Sequence, residues 1–208
     1  YHEHNGAQQR PKLLSFLAEG KSIALVTDAG TPLISDPGYK LVEEAQDAGH
    51  RVTPIPGVSA VTTALSVAGL PTNRFLFMGF APTKTKARQD WFADVKDHAT
   101  SLVYYESAKR IADSLSDAAA VLGDREAAVC RELTKKFEEV VRNNLPDLAQ
   151  HYQTAPTPKG EIVVVIGPPD KEILSSGENT SLSTETLLKA ALEHMSVKSA
   201  AAFVADLT

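Results

Sequence analysis

The sequence predicts an α/β fold, and three observations predict it. Short apolar runs alternate with helical patterns from Ser22 to Met78, the signature of strands joined by helices. Five consecutive β-branched residues, Ile162–Ile166, read as a central strand buried on both faces. Two of the predicted strands run into polar loops rich in Gly and Pro, at the strand ends where open α/β sheets bind ligands.

The elements follow in order. Ala7–Glu19 sets Leu13, Leu14, Phe16 and Leu17 on one helical face, and Gly20 is a C-terminal stop. Ser22–Thr27 is a strand. The stretch Val26–Tyr39, VTDAGTPLISDPGY, cannot extend it, because Gly30, Pro32, Pro37 and Gly38 punctuate it. It is longer than an ordinary strand-to-helix connection. A helix over Tyr39–Ala48 ends at Gly49, and Arg51–Ile55 is a short strand. Pro56–Ala60 is a second strand-to-helix loop, with its helix running to Ala68. Phe75–Met78 is an aromatic strand, and Gly79–Arg88 a basic connector. A helix carrying Trp91, Phe92 and Val95 comes next. Strand Ser101–Tyr105, helix Ala108–Leu122, strands Ala127–Arg131 and Glu138–Arg142, a helix capped by Asn144, and strand Glu161–Ile166 complete the pattern. The first part reads as mostly parallel, the second as partly antiparallel. This divides the chain into an α/β domain over 1–80, a second over 81–167, a polar linker over 168–183 and a helical segment over 184–208, with helices Thr184–His194 and Val197–Leu207.

Composition bounds the function. The chain has 208 residues, 43% hydrophobic and 23% charged, with a net charge of -5. That balance supports sizeable cores and gives no general electrostatic grip on nucleic acid, leaving room for a local basic patch. The lone cysteine, Cys130, cannot form an internal disulfide, which fits a reducing, cytoplasmic compartment. No apolar run approaches the roughly 18 residues of a membrane span, and no signal peptide is expected.

No metal site is expected: His2 and His4 are two residues apart and cannot share a helix face. Neither a GxGxxG nor a P-loop pattern occurs. What remains is the pair of loops, Gly30–Leu33 and Pro56–Ala60. Glycines admit a ligand close to the backbone, and the helix N-terminus after each loop offers free N–H groups. Such a pair suits a nucleoside and an amino-acid carboxylate, or is simply two turns.

At these residues the sequence resembles the tetrapyrrole methylase superfamily of S-adenosylmethionine-dependent methyltransferases. It is most similar to the branch that methylates small-subunit ribosomal RNA. Carrying the resemblance are Tyr1–Asn5, Leu25–Tyr39, Pro56–Ala60, Gly69–Pro71 with Arg74-Phe75, Gly79-Phe80 with Pro82, Tyr104–Ser107, Arg131–Lys135 with Glu138-Glu139, and Lys159–Val163. The long DAGTPLISDPG form separates this branch from the porphyrin and diphthamide enzymes, whose equivalent loop is shorter.

The resemblance implies two α/β domains with the cofactor, S-adenosylmethionine, folded in a cleft between them, and a homodimer. The implied reaction is methylation of the ribose 2′-hydroxyl of a cytidine in the decoding region of 16S rRNA. Gly30, Thr31, Pro32, Leu33 and Asp36 would line the cofactor from the first loop, Ser59 and Ala60 from the second. Tyr105, Glu106, Cys130, Arg131 and Gly160 would close the cleft. Asp28, Asp36 and Glu106 are the candidate catalytic carboxylates. Lys84, Lys86, Arg88, Arg110 and Lys135 are candidates for RNA phosphate, with Lys109, Lys136 and Arg131 beside them. Mild departures from the family pattern occur at Gly6, Val58 and Ala108-Lys109. Relatives carry a strand and a glycine-bearing loop before the position of Tyr1, and a tail after that of Leu207. This chain is therefore expected to be a piece of a longer protein, without part of the cleft wall. The alternatives are a methylase of a small tetrapyrrole and a non-catalytic module that binds RNA or a nucleotide.

Overall fold

The computed structural model describes residues 5–169, 188, 189, 191, 192 and 195–207. The chain divides into two compact units, Tyr1–Pro168 and Pro169–Thr208. In the first, five strands form one sheet: β1 (Phe75–Phe80), β2 (Ser101–Ser107), β3 (Glu126–Arg131), β4 (Glu139–Asn144) and β5 (Glu161–Ile166). Their spatial order is β1-β2-β5-β3-β4. β1 runs parallel to β2, and every other pair is antiparallel. The β-branched run of β5 thus sits at the centre, with Ile162–Ile166 buried.

Alternation along the strands separates two cores. Leu102, Tyr104, Val129, Ile162, Val164 and Ile166 face one side. There they meet α4 (Thr85–Ala93), α5 (Ile111–Leu122) and α6 (Leu145–Thr154). Val103, Ala128, Cys130, Val163 and Val165 face the other, against Val61, Ala64 and Leu65 of α3 (Ala60–Val67). Asn144 caps α6 as its sequence position predicts: its Oδ1 accepts from the Asp147 N–H at 3.0 Å. α1 (Gly6–Ala18) and α2 (Tyr39–Asp47) are joined by an Arg10 Nε–Glu44 Oε1 ion pair of 2.6 Å.

The sheet corrects one expectation. Ser22–Thr27 and Arg51–Ile55 are not strands. Neither joins a ladder among the described residues, and Val26 and Ile55 are 82% and 81% exposed. An apolar run records a tendency to be buried, but a strand exists where a neighbour completes its hydrogen bonds. With those two outside the sheet, the expected mostly parallel arrangement reduces to the β1–β2 pair.

In the second unit, α7 (Val197–Leu207) packs Ala200 and Val204 against Ala191 and Leu188. Most of the expected linker over 168–183 and helix over 184–194 lies outside the described residues.

Candidate active site

A cavity of about 460 Å³ opens where the two Gly/Pro loops meet the ends of β2 and β5. Its volume is in the range of small-molecule sites. The loops are tied to each other: Thr31 Oγ1 donates to the Val58 carbonyl at 2.9 Å. The first loop is also braced internally, Thr27 Oγ1 donating to Asp36 Oδ2 at 3.0 Å. The second loop feeds directly into α3, and Ser59 and Ala60 bring that helix's N-terminus to the cavity wall.

From the sheet come Tyr105, Glu106 and Ser107 of β2, with Gly160, Glu161 and Ile162 at the start of β5. Tyr104 and Tyr105 point to opposite faces. Tyr104 is buried against Phe92, while Tyr105 turns to the cavity and packs edge-on against Phe77 and Phe80 at 5.0 and 5.2 Å. Burial first, then the charges of Asp36 and Glu161, push the Tyr105 phenol above its ordinary value, so it stays neutral near pH 7.

Glu106 and Arg110, four residues apart, form an ion pair at the cavity, the glutamate buried and the arginine partly exposed. Glu106 Oε1 accepts from Arg110 Nη2 at 2.7 Å and from the Ser107 N–H at 2.6 Å. Glu106 Oε2, Ser107 Oγ and Arg110 Nε are buried and have no protein partner. Three orphaned polar atoms side by side are costly unless something polar completes them.

Of the residues expected around a cofactor, Gly30, Thr31, Asp36, Ser59, Ala60, Tyr105 and Gly160 line the cavity. Pro32 and Leu33 lie in the same loop and do not; Leu33 packs under Gly38 instead. Cys130 does not line the cavity. It is fully buried on the α3 face of β3, and burial pushes its thiol up to about 11. It belongs to the core because strand alternation puts it there, beside Val163 and Val165. Arg131 is likewise engaged elsewhere, with Glu139 at 2.9 Å and the Lys159 carbonyl at 3.2 Å. Among the carboxylates, Asp36 and Glu106 line the cavity, and Asp28 is exposed outside it.

The candidate RNA residues also divide. Arg88 is 2% exposed and donates to Asp117 at 2.8 Å and the Pro82 carbonyl at 3.2 Å, so it cannot meet a phosphate. Arg110 is held by Glu106, and Lys135 bridges Glu132 and Glu161 at 2.9 Å each. Lys86 pairs with Asp90 on the exposed face of α4. Lys84, Lys109 and Lys136 are exposed and make no ion pair among the described residues. Sequence reasoning passed over Phe80, Ile34 and Ser107 as lining residues. Helical spacing gave no signal for the Glu106–Arg110 pair, because Glu106 ends β2 and Arg110 precedes α5. Phe80 had none, because its position depends on a bulge described below.

No group of three His, Cys, Asp or Glu suited to a metal occurs among the described residues, nor a helix long and apolar enough to cross a membrane.

A mixed sheet carrying helices on both faces, with a loop-walled cavity at its strand ends, is the architecture of a small-molecule-binding α/β protein. Residues 2–149 match the family described as Tetrapyrrole (Corrin/Porphyrin) Methylases, and the chain belongs to that family. It is 52% identical over 169 residues to ribosomal RNA small subunit methyltransferase I of Mesorhizobium japonicum, covering 81% of this chain and 58% of that protein. The protein of the same name from Xylella fastidiosa is 44% identical, with 100% of this chain and 75% of that protein covered. The chain thus spans 58% and 57% of the length of the Mesorhizobium japonicum and Halalkalibacterium halodurans relatives. Among solved structures it resembles the methyltransferase CobJ, with a TM-score of 0.57 at 18% identity, covering 77% of this chain and 70% of that one. Diphthine synthase gives 0.56 at 17%, covering 80% and 68%. At such identities the likeness concerns the fold.

Proposed function

We propose that the protein is an S-adenosylmethionine-dependent methyltransferase acting on the ribose 2′-hydroxyl of a cytidine in the decoding region of 16S rRNA. The observation that carries this reading is the convergence of Gly30, Thr31, Asp36, Ser59, Ala60, Tyr105 and Gly160 on one cavity, in a chain 52% identical to a relative named as a small-subunit rRNA methyltransferase. In this reading residues 1–80 and 81–167 are the two parts of the scaffold: the first supplies both loops and the edge strand β1, and the second supplies the rest of the sheet. The protein works as a cytoplasmic homodimer with the small ribosomal subunit as its partner.

The residues present fit the cofactor. Its methionine carboxylate suits the first N–H groups of α3 at Ser59 and Ala60. Its positive charge suits the carboxylates of Asp36 and Glu161, whose field is felt at Tyr105. Ile34 and Ile162 supply apolar wall. S-adenosylmethionine supplies an electrophilic methyl carbon, so the protein's task is chiefly to align the attacking oxygen and exclude water. Asp36 is the cavity carboxylate free of a cation, and in this reading it takes the hydroxyl proton. Glu106 orients Arg110, and the neutral Tyr105 phenol is available as a hydrogen-bond donor.

Full-length protein incubated with methyl-labelled cofactor and separated ribosomal subunits tests the reading. Label is expected in small-subunit RNA at a ribose 2′-oxygen. Label confined to protein or to a small tetrapyrrole overturns the substrate, and failure to bind S-adenosylmethionine in calorimetry overturns the methyltransferase itself. Replacement Asp36→Asn is expected to lower kcat by about a hundredfold or more, the scale of general-base catalysis, and to weaken cofactor binding by a smaller factor, because it also removes a charge that faces the sulfonium.

A further inference from the structure

We propose that Phe80, re-aimed by a bulge in β1, is a stacking platform for a base of the RNA substrate; this rests on the methyltransferase reading above. The β1–β2 register runs Phe75↔Ser101, Leu76↔Leu102, Phe77↔Val103 and then Phe80↔Tyr105. Two residues of β2 are thus spanned by three of β1. Continued without the extra residue, the register would set Gly79 opposite Tyr105, and the cavity would lose a ring. The chain accommodates the insertion at Gly79, whose φ of +74° is the left-handed geometry bulges use.

The consequence is unusual for residues three apart in a strand, whose side chains should point to opposite faces. Phe77 and Phe80 both reach the Tyr105 ring, at centroid distances of 5.0 and 5.2 Å. Phe77 is partly buried against the α3-side core, whereas Phe80 lines the cavity and remains 61% exposed. One edge-on contact therefore anchors a phenyl ring whose remaining surface meets solvent. Unstacked RNA bases are recognised by stacking on such rings.

Two features favour the RNA base over the adenine of the cofactor. Phe80 lines the cavity with most of its ring open to solvent, whereas Gly30, Ser59 and Ala60 supply the glycine loop and helix terminus that suit the smaller ligand. The chain also leaves Phe80 directly into the basic connector, where Lys84 and Lys86 are exposed. A methyl-accepting nucleotide must leave its stack for its 2′-oxygen to enter a cavity, and a solvent-open platform there offsets the lost stacking.

Four variants of the full-length protein test the assignment. Phe80→Ala is expected to raise KM for the small subunit about tenfold or more, by the scale of base–aromatic stacking. Calorimetric affinity for S-adenosylmethionine stays unchanged. Phe80→Leu, which keeps apolar volume, is expected to behave as Phe80→Ala, while Phe80→Trp retains wild-type KM. Phe80→Trp in a Trp91→Phe background places a reporter at the site and removes the one other tryptophan of these 208 residues, any tryptophan elsewhere in the full-length protein being replaced by Phe as well. Its fluorescence is expected to be quenched by an oligoribonucleotide carrying the target cytidine and not by cofactor alone. Quenching by cofactor alone, or a parallel loss of cofactor affinity in Phe80→Ala, overturns the assignment in favour of adenine. Unchanged KM in Phe80→Leu overturns it outright. Wild type is assayed alongside: if it does not methylate small-subunit RNA, the underlying reading fails, and this one with it.

Discussion

Glu132 and Thr134 adopt left-handed backbone conformations, with φ of +48° and +65°, at a cost of about 1–2 kcal/mol each. Local ties hold them. Glu132 Oε1 accepts from the Glu161 N–H and from Lys135 Nζ at 2.9 Å each, and the Thr134 N–H donates to Glu138 Oε2 at 2.6 Å. The first of these bonds, with the lysine beside it, holds the Glu132 carboxyl below its ordinary value. A depressed carboxyl contributes stability above its unfolded pKa, near 4.5, that is lost as pH falls through the folded value. The loop therefore loosens in acid. Gly160 makes the arrangement possible. A Cβ there would lie 2.4 Å from Glu132 Cγ and Cδ, at a φ of +101°. Gly160→Ala must strain its own backbone and also expel a carboxylate that anchors the loop. It is expected to destabilise the protein by about 2 kcal/mol, from the cost of an enforced unfavourable backbone together with the lost hydrogen bonds. Urea unfolding measures this, and a midpoint equal to wild type would refute it.

Elements are held in place by a second kind of pairing, on the face of the sheet that carries α4, α5 and α6. Arg88 of α4 is buried against Asp117 of α5, and Gln89 Nε2 donates to the other Asp117 oxygen at 2.9 Å. The Arg88–Pro82 bond pins the connector that follows Phe80. Removing one partner strands a buried charge, which costs about 3–5 kcal/mol, whereas replacing both by apolar residues is often neutral. Arg88→Ala is thus expected to lower stability by about that amount, and Arg88→Met with Asp117→Leu to recover most of it in the same denaturation series. The basic composition of the connector suggested a solvated phosphate contact. Helical spacing carried the contrary signal, since Arg88 stands four residues before Phe92, on the buried face of α4. Where pattern and pairing agreed, the elements were legible: the β-branched β5, the Asn144 cap and the Gly/Pro loops all emerge from residue type alone. Phe80 and the unpaired stretches 22–27 and 51–55 depend on what lies alongside them, and no local pattern encodes that.

For the molecule as a whole, the sign of its charge sets a problem for the proposed substrate. A chain of net charge -5 must meet a polyanion through a local patch. Internal pairing thins that patch: Arg88, Arg110, Lys135 and Lys86 each face a carboxylate. Lys84, Lys109 and Lys136 do not, among the described residues. Each phosphate neutralised on a single strand contributes about -0.7 to the slope of log affinity against log salt. Three free lysines therefore predict about -2 from this part of the protein. The individual contributions are separable whatever the rest of the protein adds. Replacing Lys84 or Lys109 by Ala in the full-length protein is expected to reduce the slope by about 0.7. Lys86→Ala should reduce it less, because Asp90 already offsets that charge. Salt titrations of oligoribonucleotide binding by the three variants read this directly. Equal slopes for all three and wild type would mean that RNA approaches from another face.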